Sequence, residues 1–144
     1  MMPERQSLNL SLRSDLTEIP RIADEITAFG EAHGWSLQWI SNTNLALDEL
    51  ITNSISYGHL DERDDAIRLM LSVENDQLVI VMEDDGIAFN PFEEADSPDL
   101  DSEIEDRMIG GLGVFFVKTL TSDYRYQRVG EINRITLVQD SVQA

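Results

Sequence analysis

Residues 47–58 read Leu-Asp-Glu-Leu-Ile-Thr-Asn-Ser-Ile-Ser-Tyr-Gly, a stretch in which polar groups interrupt an apolar helical pattern. Apolar side chains recur at helical spacing over residues 39–57, and Gly58 is a typical helix stop. Glu49 and Asn53 are four residues apart, so they share one face of the predicted helix. A carboxylate and an amide oxygen can hold Mg²⁺ or orient a hydroxyl proton toward a base. Taken alone, the same pair is more often an ordinary surface contact.

The elements around this helix follow from apolar spacing, with a period of two for strands and of 3.6 for helices. Strands are expected at residues 7–13, 66–74, 77–83, 123–128 and 132–138, and further helices at residues 19–32 and 113–120. Hairpins outnumber βαβ crossovers in this order, so we expect an α+β two-layer sandwich. Its sheet would be mixed, mostly antiparallel, with the helices packed on one face. Residues 1–144 show no internal repeat and are expected to form a single domain.

The composition is strongly acidic, with 28 acids, 10 bases, a formal net charge of −18 and no cysteine. This charge opposes the phosphate backbone of nucleic acids, so no direct nucleic-acid ligand is expected, and a basic protein partner is favoured. No apolar run approaches the ~20 residues that a bilayer requires, so no membrane span is expected. The absence of cysteine excludes thiolate metal sites and cysteine nucleophiles, and fits a cytoplasmic protein.

Much of the negative charge is concentrated in residues 93–106, which hold eight acids and no base. Pro91 and Pro98 interrupt the same region, and apolar periodicity is almost absent. Such a stretch inside a small domain is either a solvated linker or a functional loop such as a lid. Composition alone leaves both interpretations open.

Two further motifs follow along the chain. Residues 79–91 read Val-Ile-Val-Met-Glu-Asp-Asp-Gly-Ile-Ala-Phe-Asn-Pro, so a buried strand leads into Asp84 and Gly86. Asp84 can accept a hydrogen bond from the exocyclic amine of a base and Gly86 lets a ring approach the backbone, although Asp-Gly is also a common turn.

Residues 109–114 read Ile-Gly-Gly-Leu-Gly-Val before a predicted helix, and glycine amides at a helix start suit phosphates. A simple glycine hinge is the alternative.

The order of these three motifs resembles that of the GHKL, or Bergerat-fold, ATPases, and most closely that of the serine/threonine-protein kinase anti-sigma factors. The resemblance covers nearly the whole chain. It implies that Glu49 is the general base acting on the attacking hydroxyl and that Asn53 binds the Mg²⁺ of bound ATP. It also implies that Asp84 and Gly86 contact the adenine.

The same resemblance assigns roles further along the chain. It places an ATP lid at about residues 90–112 and makes Thr136 a partner of Asp84 in binding adenine. Arg107 is placed like an arginine that senses the γ-phosphate, or it is an ordinary ion-pair partner on the lid. The phosphate-wrapping loop would consist of Gly110, Gly111, Leu112 and Gly113.

The family pattern Asp-x-Gly-x-Gly departs here, because Ala88 replaces the second glycine. The resemblance implies a partner-switching anti-sigma factor that binds a sigma factor and phosphorylates a serine or threonine of a STAS-type anti-anti-sigma protein. By analogy it would be a homodimer. The alternative is a nucleotide-gated binding module that sequesters a regulatory protein without kinase activity, and a third interpretation is an acidic scaffold independent of ATP.

Overall fold

The computed structural model describes residues 6–58, 60–61, 63–94 and 111–140. The strands are β1 (Gln6–Leu12), β2 (Ile67–Glu74), β3 (Gln77–Asp84), β4 (Asp123–Val129) and β5 (Ile132–Asp140). The helices are α1 (Glu18–Ala32), α2 (Leu37–Tyr57), α3 (Pro91–Glu94) and α4 (Gly111–Leu120). Every element expected from the sequence is present, and the one-turn α3 is an addition. Across the described ranges, no helix combines the length and apolar character that a membrane span needs.

The five strands form one sheet in the order β1-β2-β3-β5-β4, and each of the four described pairings is antiparallel. The sequence had also allowed a mixed sheet, but the described strands contain no parallel pair. Asn75 and Asp76 adopt φ values of 53° and 63°, the left-handed geometry of a two-residue hairpin turn. The α+β two-layer prediction is confirmed.

The core lies between the sheet and α1, α2 and α4. Side chains on a strand alternate between its two faces, so every second side chain of β3 faces the helices and the others face away from them. Leu78, Ile80 and Met82 occupy the covered phase and are at most 1% exposed. Burial of an aliphatic side chain of this size stabilises the fold by about 1.5–3 kcal/mol. The sheet register therefore decides which polar side chains enter the helix layer.

Helix α2 is fixed at its start and along its length. The Ser36 side chain accepts a hydrogen bond from the backbone N–H of Trp39 at 3.0 Å, so the helix begins at Leu37, two residues before the predicted start. The Trp39 indole N–H donates to the carbonyl oxygen of Asp140 at 2.7 Å, which ties the helix to the end of β5. These contacts set the position of every polar group that α2 presents.

Candidate functional site

A pocket lies where β3 ends beneath the C-terminal half of α2. Its lining includes Asn53 and Ser54 from α2, Asp84 from β3, Phe89 from the following loop and Asn133 from β5. A water-sized sphere can enter only about 10 Å³ of it, roughly the room of one water molecule. A purine would therefore need the pocket to widen, most directly by a shift of Phe89, whose ring stacks on Tyr57 with centroids 5.0 Å apart.

Asp84 forms the floor of this pocket and is 5% exposed. One carboxylate oxygen, Oδ1, accepts hydrogen bonds from the Gly86 N–H and from Asn133 Nδ2, both at 2.9 Å. The other, Oδ2, accepts from the Ser54 hydroxyl at 3.1 Å. A carboxylate offers about four lone-pair positions, so one acceptor position remains for a ligand donor.

Asn133 and Ser54 are site residues that the sequence did not predict, and the predicted position of Thr136 is wrong. Residue 133 pairs with Asp84 across β3 and β5, and its side chain meets the carboxylate. Thr136 pairs with Val81, in the opposite phase of the sheet, so its side chain lies on the face away from Asp84 and the two cannot share a contact. Ile135 marks the buried phase of β5, and that alternation was the signal by which Asn133 could have been found.

Gly86 is required by packing, whatever it does for a ligand. A Cβ at this position would lie 2.5 Å from the carbonyl oxygen of Gly58 and 2.8 Å from Leu60 Cδ2. The next residue, Ile87, donates its N–H to the same Gly58 oxygen at 3.0 Å. The end of β3 is thereby fastened to the end of α2. Ala88, which replaces the second motif glycine, is exposed and is not among the residues that line the pocket.

Glu49 and Asn53 lie one helical turn apart on α2, and Asn53 lines the pocket. Glu49 Oε1 and Asn53 Nδ2 are both buried without a hydrogen-bond partner among the described residues. Burial raises the pKa of the Glu49 carboxyl above its ordinary value; the nearby Asn53 amide, although its nitrogen makes no hydrogen bond to the described residues, opposes this shift, and the charge of Asp48 adds to it. Buried polar atoms without partners are uncommon, so this edge of the pocket suits a polar ligand.

The described residues contain no group of three or more His, Asp or Glu side chains placed to hold a metal ion. Magnesium bound with a nucleotide does not need such a group, because it usually takes one or two protein oxygens and completes its shell with phosphates and water. Asn53 fits that donor set, since turning its amide would exchange the unpartnered nitrogen for an oxygen.

The glycine cluster differs from its prediction. Helix α4 begins at Gly111 instead of residue 113, so Gly111, Leu112 and Gly113 form its first turn and not a preceding loop. First-turn N–H groups have no partner inside a helix, so these three residues still suit a phosphate. Gly110, Arg107 and most of the predicted lid lie outside the described residues. Lys118 on α4 donates to the carbonyl oxygen of Phe92 at 2.8 Å, which joins this helix to the start of that segment.

Comparison with known proteins gives a consistent family. The profile of the histidine kinase-like ATPase domain matches residues 12–139. The chain is 26% identical over 127 residues to the serine-protein kinase RsbW of Listeria monocytogenes, covering 86% of this chain and 80% of that protein. It is 24% identical to an anti-sigma F factor of Clostridium novyi, covering 88% and 87% of the two chains.

Solved structures show the same fold. The RsbU and RsbW domains of a Mycobacterium tuberculosis protein superpose with a TM-score of 0.70 at 13% identity, over 99% of this chain and 34% of that one. This chain thus spans about a third of that longer protein. The SiaB–SiaC complex from Pseudomonas aeruginosa matches with a TM-score of 0.58 at 12% identity, over 92% of this chain and 88% of the matched chain. The resemblance drawn from the motifs is confirmed at the level of family and fold.

Proposed function

Because the chain belongs to the histidine kinase-like ATPase family, we propose that it is an ATP-dependent protein serine/threonine kinase that acts as an anti-sigma factor by partner switching. The observation that carries this proposal is an unpartnered buried amide at Asn53, in the lining of the same pocket as Asp84, with the unpartnered carboxylate oxygen of Glu49 one helical turn away on α2. Relatives named as serine kinases and anti-sigma factors support the same assignment.

The nucleotide base would lie on the floor of the pocket. Its exocyclic amine donates to the remaining acceptor position of Asp84, whose carboxylate is held by Ser54, Asn133 and the Gly86 N–H. A carboxylate that is already oriented need not be ordered when the ligand arrives. The first turn of α4 would face the phosphates with its N–H groups, which have no partner inside the helix.

Phosphoryl transfer needs a positioned hydroxyl and a proton acceptor. The substrate hydroxyl oxygen forms a bond to the γ-phosphorus, the bond from that phosphorus to the β–γ bridging oxygen breaks, and ADP leaves. Glu49 takes the hydroxyl proton, a task that its raised pKa favours because a more basic carboxylate accepts a proton more readily. Asn53 would hold the Mg²⁺, which when bound neutralises charge on the phosphates.

The kinase activity is tested with γ-labelled ATP and a STAS-domain protein from the same organism. We expect label on a serine or threonine of that protein, and transfer slower by about 10²–10⁴ when Glu49 is replaced by glutamine. Nucleotide binding without any transfer would contradict the kinase assignment. It would favour the alternative, a nucleotide-gated binding module that sequesters a regulatory protein. Retention of a half-buried carboxylate at position 49 supports the enzyme, since a pure binder has no use for a base there.

The remaining parts of the proposal concern partners and setting. A sigma factor and a STAS-domain anti-anti-sigma protein are the proposed partners, a homodimer the proposed assembly, and the cytoplasm the proposed location. The net charge of −18 excludes loose electrostatic capture of an anionic nucleotide, so affinity for ATP must come from local groups. A rise in melting temperature with Mg-ATP, absent in the Asp84→Asn variant, would support the nucleotide site before any partner is identified.

A further inference from the structure

A groove separate from the nucleotide pocket runs between α1 and α2. It is lined on the α1 side by Ile19 and Ala23 and on the α2 side by Asn44, Leu45 and Asp48. A water-sized sphere can enter about 270 Å³ of it, compared with about 10 Å³ in the pocket under Asp84. This groove is therefore open to a side chain without any rearrangement of the fold.

The groove is mostly apolar, and one polar atom in its lining lacks a hydrogen-bond partner among the described residues. Leu45 in its lining is 49% exposed. Asn44 donates through Nδ2 to the Thr27 hydroxyl at 3.1 Å, but its Oδ1 is buried without a hydrogen-bond partner among the described residues. A ligand that covered Leu45 and brought one hydrogen-bond donor would satisfy both features.

The charge around the groove selects a basic occupant. Asp48 is the charged residue in the lining. Helices α1 and α2 together carry six acids and one base. That base, Arg21, is occupied by an ion pair with Glu18 at 2.6 Å. A lysine or arginine on the bound segment would therefore meet unopposed negative charge, whereas an acidic segment would be repelled.

The groove is also continuous with the proposed catalytic carboxylate. Leu45 and Glu49 are four residues apart on α2, so they lie on the same face with Cβ atoms about 5–6 Å apart. A protein that buried Leu45 would bring its neighbouring residues to Glu49. The surface of α2 thus runs from the groove, past the base, to the nucleotide pocket at Asn53.

From these observations we propose that the α1–α2 groove is the docking site of the protein substrate, which presents an amphipathic basic segment. Its apolar side chains fill the groove over Leu45, a lysine or arginine faces Asp48, and its phosphoacceptor hydroxyl reaches Glu49. This inference rests on the proposed function, because it assumes that a protein hydroxyl is the acceptor.

The first test compares Leu45→Glu with Leu37→Glu. Both place one charge on an exposed leucine of α2, but Leu37 is 80% exposed at the first residue of the helix and is not among the residues that line the groove. We expect Leu45→Glu to weaken binding of the STAS-domain protein used in the kinase assay at least tenfold and to raise KM equally, with kcat within threefold. Leu37→Glu should stay within twofold. Equal behaviour of the two variants would overturn the docking site.

The second test reverses charge. Asp48→Lys should weaken binding of the same protein about tenfold and reduce its dependence on salt concentration, because a basic segment would then meet a lysine. Asp64→Lys makes the same change of net charge at an exposed acid outside the groove lining and should have less than a twofold effect. Tighter binding by Asp48→Lys would show that the occupant is acidic, and the proposal would be wrong.

The readouts separate this inference from the proposed function. Mg-ATP should raise the melting temperature of all four variants as it does for the wild type. Loss of STAS binding in Leu45→Glu without any phosphate transfer by the wild type would keep the docking site and remove the kinase. A wild type that does not bind the STAS protein overturns the docking site itself. The docking site is also overturned if Leu45→Glu changes only the mass of the protein in sedimentation, because the occupant of the groove would then be a second copy of this chain. It is overturned as well if Leu45→Glu changes only the affinity for a sigma factor, because the sigma factor would then be the occupant.

Discussion

Replacing Asp84 by asparagine tests whether Asp84 contacts the nucleotide or only stabilises the fold. The carboxylate accepts three hydrogen bonds, from the Gly86 N–H, Asn133 Nδ2 and the Ser54 hydroxyl. An asparagine can keep all three, because its Oδ1 still accepts from Gly86 and Asn133 while its amide nitrogen donates to a hydroxyl that turns to accept. The variant therefore keeps these three hydrogen bonds and loses only the extra strength that a charged carboxylate gives them.

The two consequences differ in size. Hydrogen bonds to a charged group are worth about 1.5–3 kcal/mol and neutral ones about 1 kcal/mol, while removal of a buried charge partly offsets the loss. We expect a net cost of about 1 kcal/mol in the free energy of unfolding, which lowers the melting temperature by about 3–5 °C. An exocyclic amine would meet an amide donor in place of an acceptor, and the loss of about 1.5–3 kcal/mol raises the ATP Kd by about ten- to a hundredfold.

Isothermal titration calorimetry with Mg-ATP and thermal melts of the free protein measure these two quantities. The matched control is Asp85→Asn, which makes the same charge change at the adjacent, exposed acid that pairs with Arg63 at 2.5 Å. That variant should bind ATP within twofold of the wild type. If Asp84→Asn binds ATP as tightly as Asp85→Asn, the adenine contact is refuted and Asp84 is a structural residue only.

Three further predictions follow from the same geometry. Glu49→Gln should reduce phosphate transfer by about 10²–10⁴ with ATP affinity within threefold. Burial raises the pKa of Glu49 in the folded protein, so ionisation of this carboxyl destabilises the wild type as pH rises through that pKa. The Glu49→Gln variant should therefore have a higher urea midpoint than the wild type at pH 8 and lose this advantage toward pH 4. A lower midpoint than the wild type at pH 8 would contradict the raised pKa of Glu49. Asn133→Ala removes a donor that orients Asp84 and should raise the ATP Kd about tenfold by calorimetry, whereas Thr136→Val should change it less than twofold, and the reverse ranking would restore the original assignment. Gly86→Ala places a methyl group 2.5 Å from the backbone oxygen of Gly58 and should lower the free energy of unfolding, measured in urea, by about 1–3 kcal/mol. An unchanged urea midpoint would show that the end of β3 can shift to make room for the methyl group.

The fold was largely predictable because its signals are local. Alternation of leucines in β1, an Asn-Asp turn at residues 75–76 and a helical pattern ending at Gly58 each lie within a short window of the sequence. The boundaries moved by one or two residues where a cap decided them, as at Ser36. The α4 start moved to Gly111, where glycine neither fixes nor forbids a first helical turn.

The candidate site was predictable only in part. Glu49 and Asn53 could be paired from helical periodicity alone, because four residues make one turn. Asn133 could not be joined to Asp84 in the same way, since 49 residues separate them and only the register of β3 against β5 brings them together. Thr136 was assigned by resemblance, and a slip of one residue along a strand moves a side chain to the opposite face of the sheet.

By itself, the sequence determined the elements, the family resemblance and the candidate polar groups, because these depend on residue type and on spacing along one element. Tertiary structure alone decided which polar groups meet, why Gly86 must lack a side chain beside Gly58, and that an open apolar groove bordered by Asp48 lies one helical turn from Glu49. Those facts depend on strand register and on the packing of α1 against α2, which are set by contacts between residues far apart in the chain.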